Sequence, residues 1–260
     1  MPGYLDGILE TKLVSVFPHN HARGLPSHQA LIALFDAVDG TPLAIMDGTH
    51  ITAARTGAAS ALSTRVLARP EARILAVLGA GVQGRSHLRA HARVRDFSEI
   101  RVASRDPDHA RTLAIEFGAT AASTFAEAAR GADVVCFCTD ASTPVSERDW
   151  FRPGAHVTSV GASAGGPELD PATIRAADLL VVEHRDAFKP YPGGAHELQG
   201  LDPAAAAELG EVISGSRQGR TSPEQLTLYK SMGHAVEDAV AADLVYTAAR
   251  AQGAGTDLAL

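Results

Sequence analysis

The sequence predicts an α/β protein in two parts: a doubly wound parallel sheet, and a smaller α+β part built from both chain ends. Three observations carry this reading. An apolar run, Ile74 to Leu78, passes directly into Gly79-Ala80-Gly81-Val82-Gln83-Gly84 and then into an amphipathic segment, Ser86 to Val94. Downstream, short apolar runs alternate with helical stretches, the pattern of a parallel sheet covered on both faces. Upstream, three strand-like runs joined by short turns suggest an antiparallel sheet instead. The expected division is 1–70 with 225–260 for the smaller part and 71–224 for the parallel sheet.

In chain order, residues 1–8 read as frayed or edge structure. Thr11 to Phe17 alternates weakly and reads as a strand with Lys12 near its start. Pro18 to Ser27 is a loop. Gln29 to Asp36 is a second strand, Asp39-Gly40 a hairpin turn, and Pro42 to Met46 a third strand ended by Asp47-Gly48. Ile51, Ala54, Ala58, Leu62 and Val66 recur at helical spacing, so Ile51 to Leu67 is a helix with Arg55 and Thr56 near its beginning. Arg69-Pro70 closes it.

The expected elements that follow are strands at Ile100–Ala103, Val134–Thr139, His156–Val160 and Leu179–Val182. Helices fall at Pro107–Phe117, Thr124–Arg130 and Pro171–Ala176. Trp150 to Pro153 and Pro190 to Gly194 are loops. Pro203 to Ile213 is expected to be a helix with Gly215 beyond it, Gln225 to Tyr229 a strand, and His234 to Ala251 a long terminal helix.

Composition narrows the function classes. Of 260 residues, 45% are hydrophobic and 20% charged, which suits a well-packed globular chain. Net charge is −7 with no Lys/Arg block, which argues against a nucleic-acid partner. No apolar run approaches the ~18 residues of a membrane span. No signal peptide is visible at the N-terminus, so the expected location is cytoplasmic. The only cysteines, Cys136 and Cys138, alternate on one strand and are expected to be buried free thiols, with too few neighbouring ligands for a metal.

The glycine turn carries the chemistry. Gly79 permits a sharp turn, Gly81 lets a pyrophosphate approach the backbone, and Gly84 lets the helix pack close to the strand. The helix start at Val82 and Gln83 offers free N–H groups and partial positive charge. This is the Rossmann-type signature of a dinucleotide site, and Ala80 belongs to the same turn. The second strand of the unit ends in Ser104-Arg105. An acidic residue there would accept bonds from ribose hydroxyls. A small hydroxyl beside a cation suits a 2′-phosphate, so NADP is favoured, with NAD possible. Asp106 argues for NAD unless it caps the helix that Pro107 opens.

Several ordered motifs resemble the ornithine cyclodeaminase and mu-crystallin family from about Thr11 to Tyr246. They are Thr11-Lys12-Leu13-Val14, Pro26-Ser27-His28-Gln29, Met46-Asp47-Gly48, Arg55-Thr56-Gly57-Ala58, Gly79 to Gln83, Pro153-Gly154-Ala155-His156, Val160-Gly161-Ala162-Ser163, Leu209-Gly210-Glu211-Val212, and Lys230-Ser231-Met232-Gly233 with Glu237-Asp238. The likeness is nearer to the mu-crystallin branch. It implies a Rossmann domain plus a substrate and dimerisation domain from both chain ends, a homodimer, and a small imino or amino acid substrate. It implies that Lys12 and Arg55 hold the substrate carboxylate and imine region and that Thr56 helps hold the cofactor. Thr139, Val160, Met232 and Gly233 complete the expected cofactor set. An Arg55 near a helix start would combine its fork of donors with the helix's partial positive charge.

Two departures stand out. Ser163 occupies the position where cyclodeaminases and related alanine dehydrogenases carry an aspartate, and a neutral hydroxyl cannot act as that base. Ser163 is kept as a catalytic candidate. The family also has a segment ahead of the Lys12 strand, with a further carboxylate-binding arginine, whereas the sequence begins at Met1. An upstream start, a truncated gene or a differently assembled pocket would each account for this. The favoured activity is NAD(P)H-dependent reduction of a C=N bond in a ketimine or cyclic imino acid, or a related amino-acid oxidoreduction. The alternatives are a cyclodeaminase-type lyase with recycled NAD, or a catalytically weak NADPH-dependent binding protein.

Overall fold

The computed structural model describes residues 1–161 and 166–258. The chain separates into two compact units, Met1–Arg55 with Gly233–Leu260 and Thr56–Met232.

In the first unit, strands β1 (Pro2–Leu5), β2 (Ile8–Val16), β3 (His28–Asp36) and β4 (Pro42–Asp47) form an antiparallel sheet in that order. Residues 1–8, expected to be frayed or at an edge, supply the edge strand β1 and the turn after it. Helix α1 (Gly48–Leu67) begins directly after β4, and its first 8 residues belong to this unit. Asp47 accepts a bond from the Thr49 N–H at 2.8 Å and so caps the helix start. Gly48 is required there, because a Cβ would stand 2.9 Å from that of Ala30. The helix thus starts three residues before the expected Ile51. Arg55 lies two turns inside it, beyond the reach of the terminal dipole, so the expected help from a helix N-terminus is lost. The unit closes with the final helix of the chain (Ala235–Gln252) packed on β1, β2 and β3. The sheet pleat decides what is covered. Glu10, Lys12, Ile32 and Leu34 share the buried face, and Ile32 and Leu34 join Ile51 and Ala242 in a small core.

The second unit holds an all-parallel sheet of eight strands. They are β5 (Ile74–Leu78), β6 (Glu99–Ala103), β7 (Thr120–Ala121), β8 (Val134–Phe137), β9 (His156–Ser159), β10 (Leu179–Val182), β11 (Ala207–Glu208) and β12 (Thr227–Lys230). Their spatial order is β11-β10-β12-β9-β8-β5-β6-β7. The helices between are α2 (Val82–His91), α3 (Pro107–Phe117), α4 (Phe125–Ala129), α5 (Pro171–Arg175) and α6 (Leu209–Ser214), and the terminal helix of the first unit is α7. On β5, Ala76 and Leu78 enter one core, while Leu75 and Val77 enter the other. Both faces are covered, which is why β5, β8 and β10 read as unbroken apolar runs.

Three expectations need correction. Pro203 to Ile213 is not one helix: a 3-10 turn (Pro203–Ala205) leads into β11 and then α6. Alanines at 204–207 favour a helix, but Ala207 pairs with Val181 at the sheet edge, and tertiary pairing overrides propensity. The sequence also assigned residues from 225 onward to the smaller part. Instead β12 lies inside the large sheet, hydrogen-bonded to β9 and β10, so the second unit extends to Met232. Its lower limit falls at Thr56, within α1, and not at 71. Cys136 and Cys138 are buried free thiols as expected, and burial pushes the Cys136 thiol up to about 12. Among the described residues no helix is long and apolar enough to cross a membrane.

Candidate active site

Two constellations hold the residues singled out in the sequence, one in each unit.

In the first unit, Lys12 on β2 donates to Asp238 Oδ2 on α7 at 2.6 Å, and both side chains are buried. Arg55 on α1 donates through Nε to Asp238 Oδ1 and through Nη1 to Glu237 Oε2, each at 3.0 Å. Asp238 therefore joins the two cations named by the sequence. Gly233, expected at the cofactor, is in this unit and lies against the Arg55 guanidinium. A Cβ there would strike Arg55, and its φ of +80° suits only glycine.

Burial lowers the Lys12 pKa, aided by the Arg55 charge and opposed by Asp238. Burial raises that of Glu237 against the pull of Arg55. His28, half-buried at the start of β3, is pushed down by burial and by both cations. The sequence reading missed Glu10, which is 1% exposed with neither carboxyl oxygen hydrogen-bonded. Burial, then the Asp238 charge, raise it to about 7, with Lys12 opposing. Its signal was available, since Glu10 is two residues from Lys12 and so on the same face of the strand. Asp238 and Glu237 were visible as a motif without a role. A lysine facing inward requires a buried carboxylate partner.

In the second unit, the strand order reverses between β5 and β8, the point where ligands of open α/β sheets bind. Gly79 follows β5 with φ +110°. Its N–H donates to Ala103 O at the end of β6, and a Cβ would strike Cys138 O at the end of β8. At Gly84 a Cβ would collide with the Gly79 carbonyl. At Gly81 it would meet no atom within 4 Å. Gly79 and Gly84 are thus required by the fold, whereas Gly81 is left for a ligand to explain. The Gly81 N-cap supplies no side-chain bond to α2, and Val82 beside it is 66% exposed. Gln83 Oε1 is buried without a hydrogen-bond partner. These features suit a pyrophosphate on the first N–H groups of α2.

Ser104 and Arg105 follow β6, with Arg105 exposed. Asp106 accepts from the Asp108 N–H at 2.9 Å and caps α3, the structural role the sequence offered for it. Thr56 is buried on α1. Thr139 and Val160 lie just beyond β8 and β9, and Met232 just beyond β12; the Met232 N–H donates to Glu183. Ser163 lies outside the described residues.

Fold and turn together define a Rossmann-type dinucleotide-binding protein whose first unit carries a buried Lys–Arg–carboxylate cluster. The chain belongs to the ornithine cyclodeaminase/mu-crystallin family, whose sequence profile matches residues 1–253. It is 41% identical over 251 residues to the ketimine reductase mu-crystallin of Mus musculus, covering 95% of this chain and 78% of that protein. Among solved structures it resembles the Thermococcus litoralis Δ1-pyrroline-2-carboxylate reductase in complex with NADH and L-proline (TM-score 0.89, 36% identity, 96% of this chain and 80% of that one). It also resembles an archaeal alanine dehydrogenase dimer with bound NAD (TM-score 0.91, 30% identity, 100% of this chain and 83% of that one).

Proposed function

We propose that this protein is an NAD(P)H-dependent reductase of C=N bonds in ketimines or cyclic imino acids. The observation that carries the reading is the buried Lys12–Asp238–Arg55 cluster in a chain that also holds a dinucleotide turn. When bound, the reduced nicotinamide supplies the hydride. Gly79 to Gly84 and the first turn of α2 would hold its pyrophosphate, with Thr56, Thr139, Val160 and Met232 completing the set. Ser104 and Arg105 would take a 2′-phosphate, which favours NADP over NAD.

The protein's own groups divide the remaining work. Arg55 is a fixed cation with a forked donor set for the substrate carboxylate, and Asp238 and Glu237 orient it. Lys12 holds a proton on Nζ, and Asp238 keeps it charged against burial. Such a group serves to hydrogen-bond and protonate an imine nitrogen. We assign Ser163 to the same step as a neutral hydroxyl, in place of a carboxylate base. The outer face of the first unit's sheet exposes Tyr4, Leu13, Leu31 and Ile45, an apolar surface that fits a second copy of the chain. We place the protein in the cytoplasm, which suits its two free thiols.

The test is NADPH oxidation with Δ1-pyrroline-2-carboxylate and Δ1-piperideine-2-carboxylate, repeated with NADH. Turnover with preference for NADPH is expected, and Arg105→Ala should weaken NADPH by about 1.5–3 kcal/mol while sparing NADH. Proline and ammonia formed from ornithine without net NADPH loss would replace this reading with a cyclodeaminase. Tight NADPH binding with no turnover on either imine would leave a binding protein.

A further inference from the structure

At the carboxyl ends of β8, β9 and β12 lies a cluster of buried charges that the proposed reaction does not use. Glu168 is 1% exposed and accepts four bonds. Its Oε1 takes the Thr139 N–H at 2.7 Å and the Thr139 hydroxyl at 2.6 Å. Its Oε2 takes the Ser159 hydroxyl at 2.7 Å and the Gly161 N–H at 2.9 Å. Lys230, wholly buried, donates to Gly161 O at 2.6 Å and Ser159 Oγ at 3.1 Å, and lies 3.2 Å from Glu197 Oε1. Glu197 in turn accepts the Glu168 N–H at 2.7 Å. Every proton of the ammonium and all four principal acceptor directions of the Glu168 carboxylate are used.

Gly161 carries the trace of this arrangement. A Cβ there would stand 2.5 Å from the Glu168 carboxyl carbon, so the glycine of this motif exists to admit the carboxylate. Burying three charges is costly unless each is hydrogen-bonded, and a full set of partners makes such a network rigid. Its place in the sheet says what the rigidity serves. The pyrophosphate turn follows β5, and Ser104-Arg105 follows β6 on one side of the switch point. The rest of a dinucleotide then falls on the other side, beyond β8 and β9, where Thr139 and Gly161 each stand two residues past the strand end.

We infer that Glu168 is a positioning residue: its carboxylate, backed by Lys230 and Glu197, ties Thr139 to Gly161 and fixes the half of the cofactor crevice that receives the nicotinamide. The inference rests on the dinucleotide reading above, and it acts through backbone placement without contact with the reacting atoms. It also commits the Thr139 N–H and hydroxyl proton to Glu168, so Thr139 meets a cofactor only through its remaining atoms.

The experiment measures NADPH affinity, the fluorescence lifetime of bound NADPH, and steady-state imine reduction for the wild type, Glu168→Gln and Ser159→Ala. The lifetime reports how firmly the ring is held and needs no substrate. Expected for folded Glu168→Gln is NADPH affinity within about threefold of wild type, a lifetime shortened toward that of free NADPH, and kcat lower by about tenfold or more with little change in KM. Ser159→Ala removes one of the four bonds and should move lifetime and kcat the same way by less, which keeps the test decisive if Glu168→Gln does not fold. Unchanged lifetime and kcat in a folded variant overturn the inference, as does a loss of affinity and thermal stability with no selective effect on the ring. Wild-type protein that binds NADPH but reduces no imine refutes the proposed substrate, while the lifetimes still decide on Glu168. Wild-type protein that binds neither NADPH nor NADH refutes both.

Discussion

Arg55 spends two of its donor groups on Asp238 and Glu237, and this fixes the direction of its remaining N–H groups. Lysine at this position keeps the charge, but a single ammonium cannot bridge two carboxylates and still present a planar pair of donors. Steady-state kinetics on the best imine should show kcat/KM for Arg55→Lys lower by at least about tenfold, or ~1.4 kcal/mol of transition-state stabilisation. Cofactor affinity should hardly change, because Gly79 to Gly84 hold the pyrophosphate. Glu10 carries a prediction of opposite character. Its folded-state pKa of about 7 lies above the 4.5 of an ordinary glutamate. Between those values the folded chain binds the extra proton, so stability contributed at low pH is lost as pH rises through about 7. Glu10→Gln cannot ionise, and denaturant titration at pH 8 should find it more stable than wild type by roughly 1–3 kcal/mol, with the gap closing toward pH 5. No gap at pH 8 would mean that Glu10 is ionised and solvated in the folded state.

At the scale of elements, the three glycines of the turn separate fold from function. Gly84→Ala drives a methyl into the Gly79 carbonyl, so helix α2 must move off β5. Thermal unfolding should register a loss of about 1–3 kcal/mol, within the range for overpacking. Gly81→Ala meets no protein atom, and melting should leave its stability near that of wild type. A methyl there occupies the approach of the pyrophosphate, so calorimetric titration should show weaker NADPH binding by about tenfold or more. Normal binding by Gly81→Ala would place the phosphates elsewhere. This motif was legible because its geometry is local: strand, turn and helix lie within 20 residues of one another. The buried partners of Lys12 were less legible. Lys12 and Asp238 are 226 residues apart, and nothing in either neighbourhood specifies which carboxylate meets which cation. Asp106 was decidable in principle, since Asp before Pro is a strong local cap, and its bond to Asp108 agrees.

At the scale of the molecule, the second unit buries three neutral histidines. His87 donates from Nδ1 to Gln83 O at 2.8 Å and accepts the Ser60 hydroxyl at 2.9 Å. His91 donates to His87 O at 2.8 Å and accepts the Thr64 hydroxyl at 2.9 Å. His156 lies between Ser63 and Thr227 at 3.1 and 2.8 Å. Each ring is hydrogen-bonded at both nitrogens and wholly buried, and burial disfavours its charged form. Burial lowers His87 to about 4 and His91 and His156 to about 3, against 6.5 in the unfolded chain. The unfolded state therefore binds more protons below 6.5, and stability present above that value is lost as pH falls toward 3–4. Melting temperature should decline steeply across this range, and less steeply in His91→Gln, which keeps a donor and an acceptor without titrating. Equal slopes would assign the acid sensitivity to carboxylates. The apolar outer face of the antiparallel sheet makes a second prediction. Leu13→Glu with Ile45→Lys should give monomers by light scattering where the wild type gives dimers. A monomeric wild type would refute the homodimer.

Lys12 and Arg55 stood out through the family resemblance, and Asp106 was left between a helix cap and a ribose ligand; by itself the sequence determined the parallel sheet and the glycine turn. Each depends on periodicity or on residues close together in the chain, where sterics and local hydrogen bonding act without help from distant segments. Tertiary structure decided the rest. It put β12 inside the large sheet, because a four-residue strand carries no record of which neighbours it will bond. It turned Ala207 from helix to strand, because an edge pairing outweighs alanine's preference. It chose Asp238 for Lys12 and Arg55, and Lys230 and Glu197 to back Glu168, because a buried charge is tolerable only beside a partner, and the chain supplies that partner from wherever the fold brings it.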